Sequence, residues 1–187
     1  MDAFSYLSVL LSIVLGLAIT QILQGFRGLM LARSQLRSYW PSIVWAVILL
    51  MIVVQSWWAM YELRDYAHWT FGAFSIVLVQ TIPMYLLAGL VLPDIVGVQA
   101  IDLRAHYFDN HRWFFTLLVV LVVVSISKNL VLYGHLPPPL DLAFQLAFLV
   151  ASIVAALSGN QTLHKCFAPF ALVLVLGYIT VLFAQLR

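Results

Sequence analysis

Charge is the scarcest property of this chain. Nine Lys and Arg and seven Asp and Glu make up 9% of its 187 residues, while 64% are hydrophobic. A soluble domain carries about 25% charged residues, so too few are present to cover a water-facing globule. This excludes a soluble enzyme, a nucleic-acid binder and a disordered regulator. The net charge of +2 is also too small to attract a polyanion. Cysteine is almost missing. Cys166 stands alone, which excludes an internal disulfide and a thiolate metal cage within one chain. It reads as a small apolar residue near a helix start.

Catalytic signatures are missing too. There is no HExxH, GxSxG or Walker pattern, and no nucleophile–base or carboxylate pair inside an apolar run. Haem in a helical bundle needs facing histidines within the spans. His68, His135 and His164 all fall near span ends. The expectation is a protein that is not an enzyme and carries no cofactor. A lipid-directed enzyme would have to use Asp102 and the neighbouring histidines at the interface. A basic leader is also lacking, Asp2 being the only early charge. The first apolar run is longer than the roughly 7–15 residues of a signal-peptide core, so it is expected to remain as a span.

What the chain does have is long apolar runs. A bilayer core of about 30 Å needs about 20 helical residues. Six segments reach that length: 4–26, 40–61, 69–92, 113–133, 140–157 and 166–185. They are continuous rather than alternating, so strands are not expected. The predicted fold is an all-α polytopic membrane protein, one domain over 1–187, built as a bundle of six transmembrane helices. Arg27, Arg33, Arg37, Arg104, Arg112 and Lys165 fall in the connections of one side. The positive-inside rule makes that side cytoplasmic and puts both termini on the outer, periplasmic side. Interfacial belts follow: Tyr6, Trp57, Trp58, Tyr61, Trp69 and Tyr133 outside, and Trp40, Tyr107 and Trp113 inside.

Polar residues inside such spans are candidates for function. Lys128 lies on the outer side of the middle of span four. Glu62, Asp141 and Asp2 are the nearest acidic residues, none at its depth. Ser125, Lys128 and Asn129 share a face at helical spacing. Gln55, Gln80, Gln145, Tyr178 and Thr180 extend a polar layer, and Pro83 frees a carbonyl in span three. This layer reads as a hydrated outward vestibule or as interhelical hydrogen bonding. On span one, Ser5, Ser8, Ser12, Gly16, Thr20 and Gln24 form a stripe, extended by Gly25 and Gly28. It reads as a close-packing face, or as a pathway lining that includes Ser12 and Thr20. The loop 94–112 is the densest in polar chemistry. Asp102, His106, Asp109 and His111 read either as metal or pH-sensing groups, or as an interfacial segment capped by Asp109 or Asn110. In the latter case Ile95, Val98, Ile101 and Phe108 face lipid.

Several stretches taken together resemble a family of small bacterial multi-pass inner-membrane proteins of unassigned activity. They are Phe4-Ser-Tyr-Leu-Ser, Tyr39-Trp-Pro, Gln55-Ser-Trp-Trp-Ala, Trp69-Thr-Phe, Asp102-Leu-Arg-Ala-His-Tyr-Phe and Arg112-Trp-Phe-Phe. The resemblance covers about the first two thirds of the chain and implies a bacterial inner membrane. A weaker likeness is to bacterial six-helix potassium channels with an Arg…Phe-Ser-Asp signature on helix one. Here that stretch reads Phe4-Ser5-Tyr6, without the aspartate or a preceding arginine, so no residue roles carry over. The functional expectation is a channel or transporter for an ion or small solute. Its pathway would use Lys128, Gln80, Gln55, Asn129, Ser125, Gln145, Ser12 and Thr20, in a homo-oligomer because one small bundle has little room. The alternative is a non-transporting scaffold, sensor or accessory subunit acting through the 94–112 loop.

Overall fold

A computed structural model describes residues 3–94 and 101–182. Asp2, Ile95, Val98 and the stretch 183–187 lie outside the described residues. The helices are α1 (Ala3–Leu31), α2 (Trp40–Ala59), α3 (Phe71–Leu90), α4 (Leu103–Tyr133), α5 (Pro139–Leu157) and α6 (Gln161–Leu182). All six are long and apolar enough to cross a membrane, so this is an integral multi-pass membrane protein.

Three boundaries differ from the sequence reading by five residues or more, and local chemistry explains two of them. α4 begins at Leu103 rather than at 113, because Asp102 accepts from Arg104 N at 2.9 Å and from Ala105 N at 3.1 Å. Asp102, not Asp109 or Asn110, is therefore the cap. The 31 residues of α4 would extend about 46 Å, longer than the hydrocarbon, so its charged first turns need not lie within it. α6 begins at Gln161, where the Asn160 side chain accepts from Thr162 N at 2.9 Å. α1 continues through Arg27 to Leu31. At the other end of α4, Gly134 takes a left-handed φ of 73° and donates its N–H to Leu130 O at 3.0 Å. A glycine is favoured at this turn because a Cβ would be strained there. Pro139 then opens the first turn of α5, where a missing N–H costs nothing.

Two short strands correct the expectation of none. β1 (Leu36–Arg37) pairs in parallel with β2 (Ile101–Asp102). The apolar-run argument concerned spans, whereas this pairing joins two connections. It carries an exposed Arg37–Asp102 ion pair at 3.9 Å, a kind of contact that adds little stability.

The helices pack as a ring in the order α1, α3, α4, α5, α6, α2, which closes back on α1. One end of the bundle holds the α2–α3 and α4–α5 connections; we call it the cavity end. The other holds the starts of α2, α4 and α6; we call it the aromatic end. There the fully buried Trp45 of α2 meets Phe114 and Phe115 of α4, Phe148 of α5 and Phe167 of α6, with centroids 5.1–6.4 Å apart. The edge-to-face angles suit aromatic quadrupoles. Tyr107 belongs to this core at 7% exposure rather than to an interfacial belt. Phe108 also turns inward, with ring contacts to Tyr39, Tyr107, His111 and His164. The lipid-facing expectation for Phe108 is thereby corrected.

Candidate functional site

At the cavity end five helices surround a space of two joined lobes. The outer lobe has a volume of about 110 Å³ and the inner of about 100 Å³. Gln55, Ser56, Gln80, Met84, Ser125, Gln145 and Tyr178 line both, so the two lobes adjoin. Six of the sequence candidates therefore converge: Gln55 from α2, Gln80 from α3, Ser125, Lys128 and Asn129 from α4, and Gln145 from α5. Alternating helix direction brings the last turns of α2, α4 and α6 beside the first turns of α3 and α5.

Charge is confined to the outer lobe, where Lys128 faces the same space as Glu62 and Asp141. The half-buried Lys128 has no carboxylate oxygen within ion-pair distance among the described residues, and it belongs to neither the Arg37–Asp102 nor the Arg64–Asp65 pair. Asp141 is held more firmly. Its Oδ1 accepts from Gln145 Nε2 at 2.7 Å and from Tyr178 Oη at 3.0 Å. This fixes the Gln145 amide, because a carboxylate can only accept from its NH₂ group. The amide oxygen Oε1 is then left buried with no donor among the described residues.

The inner lobe is different in kind. Ile52, Leu121, Val122, Phe148, Leu174 and Val175 are among the side chains that line it alone, and no charged residue does. It ends on Phe148, one of the rings around Trp45. Pro83 lies inside an uninterrupted α3 and is buried.

Two candidates do not join this site. Ser12 and Thr20 line neither lobe. α1 instead turns Leu11, Leu15, Ala18 and Ile22 into the core, which leaves Gly16, Thr20 and Gln24 exposed. Thr20 Oγ1 donates to Gly16 O at 2.8 Å, so it satisfies its own helix. Thr180, also expected in the polar layer, is exposed and donates to Leu176 O at 2.9 Å. Its depth in span six placed it in the polar layer, but the packing face of α6 lies elsewhere.

The 94–112 candidates are engaged in structure. Asp102 caps α4. A ring nitrogen of His106 bonds Leu90 O at 3.0 Å, and His111 Nδ1–H donates to Phe108 O. Asp109 is exposed. Among the described residues, no group of three or more His, Cys, Asp and Glu is arranged to hold a metal ion. A pair that the sequence did not reveal lies nearby. His164 is fully buried; its Nε2–H donates to Ser158 O at 2.8 Å, and Tyr107 Oη donates to its Nδ1 at 2.9 Å. A carbonyl can only accept, so Nε2 carries a proton, and in the neutral ring Nδ1 accepts from the Tyr107 hydroxyl. Just outside the spans, burial pushes the Tyr39 hydroxyl above its ordinary range, with Arg104 opposing.

Fold and cavity together define a six-helix membrane protein with an internal polar site. No family model matches the chain, and no curated protein or solved structure does so either.

Proposed function

We propose that this chain is a non-enzymatic transporter of a small polar solute, which binds in the two-lobed cavity. The supporting observation is the convergence of Lys128, Glu62 and Asp141 with Gln55, Gln80 and Ser125 in one space, while packed aromatic rings fill the bundle beyond it. A polar site near one end of the bundle, with packed rings beyond it, fits a carrier better than an open pore. The distribution of Arg and Lys points the open end outward, to the periplasm if the membrane is the bacterial inner one. The cavity forms within one chain, so this reading needs no second copy to line it, although a homo-oligomer remains compatible with it.

Reconstitution tests the proposal. Proteoliposomes with the wild-type chain should show saturable solute uptake that Lys128→Leu abolishes. Equal uptake by the two proteins would reject the site. Lack of any uptake, with protein shown to be folded and inserted, would favour the scaffold, sensor or accessory reading. Against that alternative, Asp102, His106 and His111 bond within the chain rather than offering their polar groups to a partner.

A further inference from the structure

We infer that the solute is a small zwitterion with an aliphatic arm, of the chemical class of the branched-chain amino acids. The inference deepens the transporter reading and rests on the same cavity. Three observations carry it.

The first is the arrangement of charge. A simple anion attracted to Lys128 would meet Glu62 and Asp141 in the same lobe, and a simple cation drawn to those carboxylates would meet the lysine. A ligand with both charges sets its carboxylate against Lys128 and its ammonium against Asp141. Among the described residues, Lys128 has no salt-bridge partner that would have to be broken first.

The second is the orphaned acceptor. Gln145 is 8% exposed and lines both lobes, and Asp141 orients its amide so that Oε1 has no donor among the described residues. An ammonium beside Asp141 supplies an N–H donor. A buried acceptor left unmade is costly, so the site favours ligands that carry a donor at this point.

The third is the division between the lobes. Every charged lining residue is in the outer lobe, and the side chains lining the inner lobe alone are apolar. An engineered apolar cavity of about 150 Å³ holds benzene. The inner lobe, at about 100 Å³, suits a smaller aliphatic group, one of about four carbons on that scale. A ligand spanning both lobes is therefore charged at one end and branched and apolar at the other.

The test is equilibrium binding of radiolabelled L-leucine to the purified full chain in detergent. Competition uses glycine, 4-methylpentanoate and 3-methylbutylamine, which lack respectively the arm, the ammonium and the carboxylate. Each analogue should bind roughly ten-fold more weakly than leucine or worse. Lys128→Gln should weaken leucine by a similar factor without weakening 3-methylbutylamine. Asp141→Asn should weaken leucine without weakening 4-methylpentanoate. If 4-methylpentanoate or the amine matched leucine, the ligand would be a simple ion and the zwitterion proposal would fall. A match by glycine would remove the role of the inner lobe. Absence of leucine binding to folded protein would also overturn the proposal, while solute uptake in the liposome assay would still support the transporter reading. The analogue series uses only the wild-type chain, so a variant that fails to fold leaves the test intact.

Discussion

The two ends of the bundle use the same helices for different purposes. Toward the aromatic end, α2 and α4 contribute Trp45, Phe114 and Phe115, whose rings meet edge to face and exclude water. Toward the cavity end, the same two helices contribute Gln55, Ser56, Ser125 and Lys128 and enclose space instead of filling it. Lipid tails are as apolar as a leucine core, so burial in a membrane gives helices little hydrophobic reason to associate. Ring packing and interhelical hydrogen bonds must hold the bundle, and they are concentrated where Trp45 and His164 sit. The difference separates a part that maintains the fold from a part left available for a ligand.

The most direct way to break this comparison is a pair of substitutions, one at each end. Trp45→Ala removes a fully buried ring that contacts three other helices. It should cost about 3–5 kcal/mol of stability, read as a large fall in the thermal unfolding midpoint in detergent. Lys128→Leu removes a charge that has no ion-pair partner among the described residues, and charge within a span is itself unfavourable. Its midpoint should stay the same or rise while solute uptake disappears. If Lys128→Leu proved as destabilising as Trp45→Ala, the lysine would be part of the scaffold and the separation of roles would fail.

A subtler substitution probes the polar contact within the aromatic end. Tyr107→Phe keeps the ring but removes the hydroxyl that donates to His164 Nδ1 at 2.9 Å. A buried acceptor left without its donor costs about 1–3 kcal/mol, so the unfolding midpoint should fall while solute binding persists. An unchanged midpoint would show that this hydrogen bond does not help hold α4 to α6. Asp102→Ala should cost about 1 kcal/mol, through loss of the bonds to Arg104 N and Ala105 N. Amide exchange would report it as faster opening of the first turn of α4, without an effect on uptake.

The sequence made the spans legible because length and hydropathy decide them locally. It also marked Lys128, Gln55, Gln80 and Gln145 as unusual, since a polar side chain within an apolar run stands out without any knowledge of packing. It did not show which faces would meet. Ser12 and Thr20 lie on a clean helical stripe, yet the larger Leu11, Leu15 and Ile22 determine the buried side of α1. Asp141 and Gln145 were readable as an i, i+4 pair, but Tyr178 is 37 positions from Asp141, and only the α5–α6 packing brings them together. The Tyr107–His164 pair, 57 positions apart, was hidden for the same reason. The start of α4 was missed because charged residues after Asp102 were read as loop, although a helix emerging from the hydrocarbon can carry them.

Two glycines on α1 sharpen the contrast between its packed and exposed sides. A Cβ built on Gly25 would lie 2.9 Å from Leu92 Cβ, a distance that forces a neighbour to move. Gly25→Ala should therefore destabilise, by about 1 kcal/mol or more given the usual cost of overpacking. Gly16 is exposed and a Cβ there would meet nothing within 4 Å. Gly16→Ala should stabilise the monomer by roughly 0.5–1 kcal/mol, because alanine loses less backbone freedom in a helix. Both are read as shifts in unfolding midpoint, with molecular mass measured in parallel. If Gly16→Ala instead lowered the midpoint and reduced the mass of the particle, the exposed stripe of Gly16, Thr20 and Gln24 would be a contact between copies of the chain. The close-packing role expected of that stripe would then lie between molecules, and Gly25 would be the part of it that acts within one.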